Sequence, residues 1–313
     1  MAIKWRKFGF GVMMRLSLRV IAGIALFLTF LISGGEARPV KHRMTKHHIT
    51  EHSHSHFKGR GMWVWNEIHG NDNDYEPYVR MAKAYGIQYV VIKAYNGGNW
   101  GVRDAEGDFQ TQLNQRMISA FQKAGIRCYG CGTAYLWPQS DVEGAIRHSV
   151  NLLHKTTVDG IVLDDVFAYG ADKHQTGRLF GEIRNHIDHC SSCRKKAFAF
   201  STFPYVWKAD LPWEIPFRYA RYYLPQIYWM DMRLTPSGAV SRFQRGWNEY
   251  HRKNRNVHVR IIPVGPTIDH RDVTPKHVKQ FISACRKDGY HDISFFRWGV
   301  TSKEKWKVIG GKS

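Results

Sequence analysis

Residues 159–166 read DGIVLDDV: an apolar run, Ile161-Val162-Leu163, that ends on two adjacent carboxylates, Asp164 and Asp165. A short, uninterrupted apolar run of this kind fits a parallel strand covered on both faces. A charge placed beside an apolar core is costly unless it is paired or put to use. Seven further segments share the pattern, at 61–65, 88–95, 126–135, 197–203, 222–229, 259–266 and 293–298. Stretches with helical period lie between most of them. Thr274-Pro275 predicts an N-cap with a first-turn proline, Ser140–Glu143 (SDVE) a capping box, and Asp74 the N-cap of the first helix. Gly86, Gly125 and Gly289 fall where a helix end needs positive φ. Eight strands with intervening helices over 61–313 predict an α/β fold, a (β/α)8 TIM barrel. An open doubly wound sheet would carry a G-x-G-x-x-G after its first strand, and WVWNEIHG (63–70) has none.

The amino-terminal part reads differently. Residues 20–32 are an uncharged apolar run of 13 behind Lys4, Arg6, Lys7, Arg15 and Arg19. The run is short for a membrane span of roughly 20 residues. Gly35 and Ala37 then supply small residues at the −3 and −1 positions of a cleavage site. The pattern predicts a signal peptide at 1–37 and therefore a secreted, periplasmic or cell-surface protein, membrane-bound only if the segment is uncleaved. Residues 38–60 are poor in apolar side chains and contain His42, His47, His48, His52, His54 and His56, the pattern of a basic, flexible linker. The formal charge is +20, and about +16 once 1–37 is removed. That charge favours an anionic partner, and export argues against nucleic acid.

Five cysteines include two C-x-x-C pairs. Cys128 and Cys131 lie in an expected strand, where a spacing of three sends the side chains to opposite faces, so a four-cysteine zinc site is not expected. Cys190 and Cys193 lie in a loop where a local disulfide is one of two readings, and Cys285 is expected in a buried helix. No metal or cofactor motif stands out: HGNDNDYE (69–76) lacks the calcium-loop spacing, and H-E-x-x-H, G-x-S-x-G and the P-loop are absent.

Barrel active sites gather at the carboxyl ends of the strands. Those ends carry Trp65, Asn66 and Glu67; Lys93, Tyr95 and Asn96; Thr133 and Tyr135; Asp164 and Asp165; Ser201 and Tyr205; Gln226, Tyr228 and Asp231; Thr267 and Asp269; and Arg297 and Trp298. Aromatic platforms beside amides and carboxylates suit a sugar, whose C–H faces stack and whose hydroxyls need partners. Period two puts Asp164 and Asp165 on opposite faces without saying which faces the lumen.

DGIVLDDV resembles the fourth-strand segment of family 18 chitinases, D-G-x-D-x-D-x-E. YVVIKAYNGG (89–98) and LPQIYW (224–229) resemble the second- and sixth-strand segments of family 25 lysozyme-like glycoside hydrolases. The resemblance implies a glycosidase barrel with Asp164 as the lumen-facing carboxylate and with Lys93, Gln226 and Tyr228 in the cleft. It also implies a cell-wall or extracellular polysaccharide as substrate, peptidoglycan being one candidate, and the basic charge favours an anionic one. The chitinase pattern ends in the acid Glu, where this chain has Val166. Hydrolysis needs a second carboxyl group. Glu67, Asp231 and Asp269 are the candidates, with Glu67 or Asp231 preferred as acid and Asp164 as base, nucleophile or electrostatic stabiliser. Trp65, Lys93, Tyr95, Tyr135, Gln226, Tyr228, Asp269, Arg297 and Trp298 are the expected substrate contacts, and Asp165 the expected scaffold residue, paired with a basic neighbour. The missing Glu leaves two alternatives: a non-catalytic carbohydrate-binding barrel and a cell-surface interaction protein.

Overall fold

The computed structural model describes residues 56–65, 74–100, 102–103, 109–110, 113–168, 171–208, 210–268 and 273–312. The expected signal peptide, nearly all of the expected linker, Glu67 and Asp269 lie outside them. Among the described residues no helix is long and apolar enough to cross a membrane.

Apart from short strands at Asn99–Trp100, Val102–Arg103 and Phe109–Gln110, strands and helices alternate. They run β1 (Arg60–Val64), α1 (Glu76–Ala84), β2 (Tyr89–Asn96), α2 (Gln115–Lys123), β3 (Arg127–Thr133), α3 (Gln139–Lys155), β4 (Gly160–Asp164) and α4 (Lys173–His189). The second half continues with β5 (Ala197–Thr202), α5 (Glu214–Tyr219), β6 (Tyr222–Pro225) and α6 (Pro236–Lys253). It closes with β7 in two pieces (Arg260–Ile261 and Val264–Pro266), α7 (Pro275–Lys287), β8 (Ile293–Phe296) and α8 (Lys303–Gly310). All the numbered strands pair in parallel, in the order β6, β5, β4, β3, β2, β1, β8, with one piece of β7 at either edge. The first piece of β7 bonds to β6 and the second to β8. Pro263 between them has no N–H to donate, and the ladder changes partner there. Ile227 N also donates to Val264 O at 2.9 Å. The two edges of the curled sheet are therefore consecutive parts of one segment.

Period two divides the buried residues into two layers. Trp63, Tyr89, Val91, Tyr129, Cys131, Val162, Ala199, Tyr222, Leu224 and Val264 fill the space enclosed by the sheet. Ile161, Leu163 and their counterparts on other strands pack outward against the helices. Cys128 belongs to the outer layer and Cys131 to the inner one, as the spacing predicts. The three expected helix-end glycines have φ of +66, +78 and +86 at Gly86, Gly125 and Gly289. Thr274 caps α7 with a capping box closed by His277. Two caps differ from expectation. Helix α3 begins at Gln139 with Pro138 as N-cap, so Ser140–Glu143 lies inside its first turn. Tyr75 is the N-cap of α1, and Asp74 instead accepts from Glu76 N at 3.0 Å.

Residues 56–60, read from sequence as the end of the linker, belong to the fold. Phe57 is fully buried and stacks on Tyr129 with centroids 3.9 Å apart, edge-on to Tyr89 at 5.4 Å. It plugs the amino-terminal mouth of the strand cylinder. Phe57→Ala should lower stability by about 3–5 kcal/mol through the cavity it leaves, seen as a lower denaturation midpoint at an unchanged m-value.

Candidate functional site

The carboxyl ends of the strands bring a compact polar group together around Asp164. Asp164 ends β4 with the parity of Val162, an inner-layer residue, so its carboxylate projects into the lumen. It is 2% exposed. Gln226, just past β6, donates its Nε2 amide to Asp164 Oδ1 at 3.0 Å, to Asp165 Oδ1 at 2.9 Å and to Ser201 Oγ at 3.2 Å. Lys93, buried in β2 with the parity of Tyr89 and Val91, brings Nζ to 4.0 Å from Asp164 Oδ2. The same ammonium donates to Thr133 Oγ1 at the end of β3 and lies 3.9 Å from the centroid of the Trp65 ring. Cation–π contact and one hydroxyl thus help to hold a buried cation beside a buried carboxylate.

Asp165 is not the scaffold residue that strict alternation predicts. Its φ of +51 ends the extended conformation at β4, a region that Asp tolerates better than most side chains. The turned backbone returns the Asp165 carboxylate to the Gln226 amide, where an amide and not a basic side chain is its partner. Two carboxylate oxygens bonded to one nitrogen lie at most about 6 Å apart. Burial first, and then the charge of Asp165, push the Asp164 carboxyl up to about 7 against the opposing pull of Lys93 and hydrogen bonds from Asp165 N and Ser201. Asp164 can therefore keep its proton up to near neutral pH, beside the Asp165 carboxylate held by the same amide.

Aromatic rings line the same mouth. Phe296 stands between Trp65 and Tyr228, at 6.0 and 6.1 Å between centroids, and the Arg297 guanidinium lies 5.9 Å from its ring. Tyr135 is half-buried on the rim and donates to Asn96 Oδ1 at 3.2 Å. Trp137, in the segment after β3, is 76% exposed.

Of the residues expected from sequence, the structure gathers Trp65, Lys93, Asp164, Gln226 and Tyr228, with Tyr135 and Arg297 at the edge. Asp231 is exposed in the turn after β6, where burial first and then the Asp231 charge raise the Tyr205 phenol, and it is not among the groups bonded to the Gln226 amide beside Asp164. Two expected contacts face the other way. The β2–β3 register shifts between Lys93 and Tyr95, which reverses the parity of β2. Tyr95 consequently packs outward, its hydroxyl 2.7 Å from Ser149 Oγ on α3 and its ring against the bare Cα of Gly132. Trp298 follows the end of β8 and is buried outside the lumen against Trp306, at 5.0 Å. Thr133 and Ser201, named among the strand-end residues, join the cluster; Asp165, expected in the scaffold, does so as well, and Phe296 is a neighbour that the sequence reading did not name. Period two from Ser294 would have found Phe296; no local signal marks the turn at Asp165.

Gln226→Leu removes a donor shared by three buried or half-buried acceptors. The expected loss is about 1–3 kcal/mol at pH 8. The sign with pH follows from Asp164, whose folded carboxyl is already raised, so the fold loses stability as pH climbs from about 4 towards 7 and this group ionises. Without the amide the folded carboxyl rises further and that loss extends beyond pH 7. Chemical denaturation at pH 5 and pH 8 should show the wild-type advantage shrinking at the lower pH.

No protein-family model matches the chain, and no curated protein matches it. Solved structures do. An endo-β-1,4-mannanase from Thermotoga petrophila aligns with a TM-score of 0.58 and 10% identity, covering 84% of this chain and 77% of that one. A family 18 N-acetylglucosaminidase from Paenibacillus barengoltzii aligns with a TM-score of 0.56 and 10% identity, covering 82% and 100%. The spore cortex-lytic enzyme SleL of Bacillus cereus aligns with a TM-score of 0.56 and 9% identity, covering 82% and 74%. The fold is thus the (β/α)8-like fold of glycoside hydrolases, family 18 included. The likeness to family 25 rests on sequence segments alone.

Proposed function

We propose that this chain is an exported glycoside hydrolase that cleaves a polymer of 2-acetamido sugars, such as the glycan strands of a cell wall, with Asp164 and Asp165 as its working carboxyls. The observation that carries the reading is the shared Gln226 amide, which holds two carboxylates side by side at the mouth of the lumen, one of them buried and raised. A raised carboxyl in a cleft, shifted by burial and a specific neighbour, is the usual state of a general acid.

The placement also constrains the mechanism. Two carboxyls that flank a glycosidic bond from opposite sides give the ordinary retaining or inverting reactions. Here consecutive residues and one amide keep both carboxyls on the same side. The nucleophile on the far side of the anomeric carbon is then the substrate's own acetamido oxygen, the substrate-assisted variant. The proton held by Asp164 passes to the leaving glycosidic oxygen as the acetamido oxygen bonds to C1 and the C1–O bond to the leaving sugar breaks. The remaining carboxylate accepts the acetamido N–H. Water, losing a proton to the carboxylate that gave one up, then opens the cyclic intermediate. Lys93 opposes the upward push on Asp164, and Trp65, Phe296 and Tyr228 offer ring faces to the sugar. Family 18 and spore-cortex enzymes share this fold, which is consistent with such a substrate, and the basic surface would hold the protein on an anionic wall.

One observation favours a second reading, a barrel that binds glycan without cutting it. Val166, fully buried, stands where the resembled chitinase pattern has its acid. A single experiment separates the two. Residues 38–313 are incubated with peptidoglycan, N-acetylated chito-oligomers, their de-N-acetylated forms and mannan, and both released ends and retained binding are measured. Cleavage confined to the acetamido polymers supports the proposal. Binding without release, or cleavage of mannan and de-N-acetylated oligomers at equal rates, would overturn it.

A further inference from the structure

The opposite pole of the molecule, where helices end and strands begin, holds a second cluster of chemistry-bearing side chains. His154 lies in the last turn of α3 and His186 in the last turn of α4. Cys190 is the C-cap of α4, and Cys193 follows in the turn that leads to β5. One ligand-capable atom from each of these four residues lies within 4.8 Å of the other three. Cys190 Sγ is 3.9 Å from His154 Nδ1, and Cys193 Sγ is 3.9 Å from His186 Nε2. The two imidazoles stand nearly perpendicular, at 82°.

The geometry points to a structural zinc site made of His154, His186, Cys190 and Cys193, tying the ends of α3 and α4 to the start of β5. Two thiolates and two imidazoles are a donor set that selects Zn2+, which takes four ligands in a tetrahedron. With Zn–S near 2.3 Å and Zn–N near 2.0–2.1 Å, a tetrahedral S···N edge is about 3.5 Å, so the two observed 3.9 Å contacts need close by only a few tenths of an ångström. Local backbone structure already aims the ligands. Cys193 N donates to Cys190 O at 3.0 Å in a tight turn, and Cys190 N donates to His186 O at 3.0 Å, which continues the helical spacing of His186 and Cys190. The carbonyl ends of two helices also carry partial negative charge towards the cluster, which favours a cation there. This C-x-x-C pair thus draws its partners from histidines on neighbouring helices and not from Cys128 and Cys131.

In the structure the two sulfurs are joined as a disulfide. Reduction by a dithiol, itself oxidised to a disulfide, delivers two electrons and two protons and yields two thiols. Those thiols release their protons on binding Zn2+. The metal and disulfide forms are therefore alternatives: the disulfide joins only the end of α4 to the turn that follows it, whereas the metal would also tie in α3 through His154.

The test uses the full chain, reduced with a dithiol and moved into chelator-free buffer without oxygen, then titrated with Co2+ and back-titrated with Zn2+. Thiolate-to-cobalt charge-transfer absorption reports cysteine ligation, so histidines elsewhere in the chain do not contribute to it. Intense d–d bands report tetrahedral geometry. The expected result is saturation at one Co2+ per chain with both features, and their removal by Zn2+. Cys190→Ser should cut the charge-transfer intensity by about half. His154→Ala, at an exposed position that does not threaten folding, should weaken Co2+ binding about tenfold or more. Absence of the charge-transfer band from the folded, reduced chain would overturn the site, as would a band that Cys190→Ser and His154→Ala leave unchanged.

Discussion

Asp164→Asn should lower kcat on an N-acetylated glycan by a factor of about 10²–10⁴, the usual worth of a positioned acid or base. The substitution keeps the shape of the side chain and its bond from Gln226, while removing the proton that the pair would donate. Asp165→Asn should produce a loss of the same order, because the charge of Asp165 helps to hold the Asp164 proton and its carboxylate would be the one that receives the acetamido N–H. The effects of a unit of this kind do not add. The double variant should therefore be scarcely worse than either single one. Glycan binding, measured by co-sedimentation, should persist in all three, since the ring faces of Trp65, Phe296 and Tyr228 are untouched. Equal activity of wild type and both single variants would remove the pair from the reaction.

The second large effect concerns Lys93. Its ammonium is 4.0 Å from Asp164 and opposes the upward push that burial and Asp165 exert on that carboxyl. Lys93→Met fills similar space without the charge. Loss of the cation disfavours the Asp164 carboxylate, so its proton should be held to higher pH. If that proton is the one donated to the leaving group, activity falls as pH rises through about 7 in the wild type. In Lys93→Met this alkaline limb should move up by about one unit or more, the scale on which one close charge acts in a buried site. A limb that stays in place, with only kcat reduced, would show that Lys93 fixes geometry and does not set the proton.

How far the sequence could be read depended on how regular the backbone was. Uninterrupted apolar runs such as 159–164 identify strands covered on both faces, and eight of them lead to the alternating β/α architecture that the structure shows. Parity then puts Asp164 on the side of Val162, but it takes the packed sheet to show that this side is the lumen. Parity misleads wherever the backbone departs from a plain strand. The register shift after Lys93 turns Tyr95 outward, and the end of β8 at Phe296 releases Trp298 to the helical layer. The left-handed turn at Asp165 brings a second carboxylate into the site. These departures depend on neighbouring strands and tertiary packing, so local pattern carries no trace of them. The His154, His186, Cys190, Cys193 cluster is similar: 32 residues separate its two histidines, and only the packing of α3 on α4 brings them together.

The most direct test of the substrate-assisted account is the configuration of the first sugar released. Wild-type chain would be mixed with an N-acetylated chito-oligomer, and the anomeric proton of the new reducing end followed by NMR before mutarotation. Attack by the acetamido oxygen followed by water inverts the anomeric carbon twice. The account therefore predicts a product with the same anomeric configuration as the cleaved bond. A first-formed product of the opposite configuration would mean direct attack by water from the far side, and the paired Asp164 and Asp165 would not be the arrangement that drives the reaction.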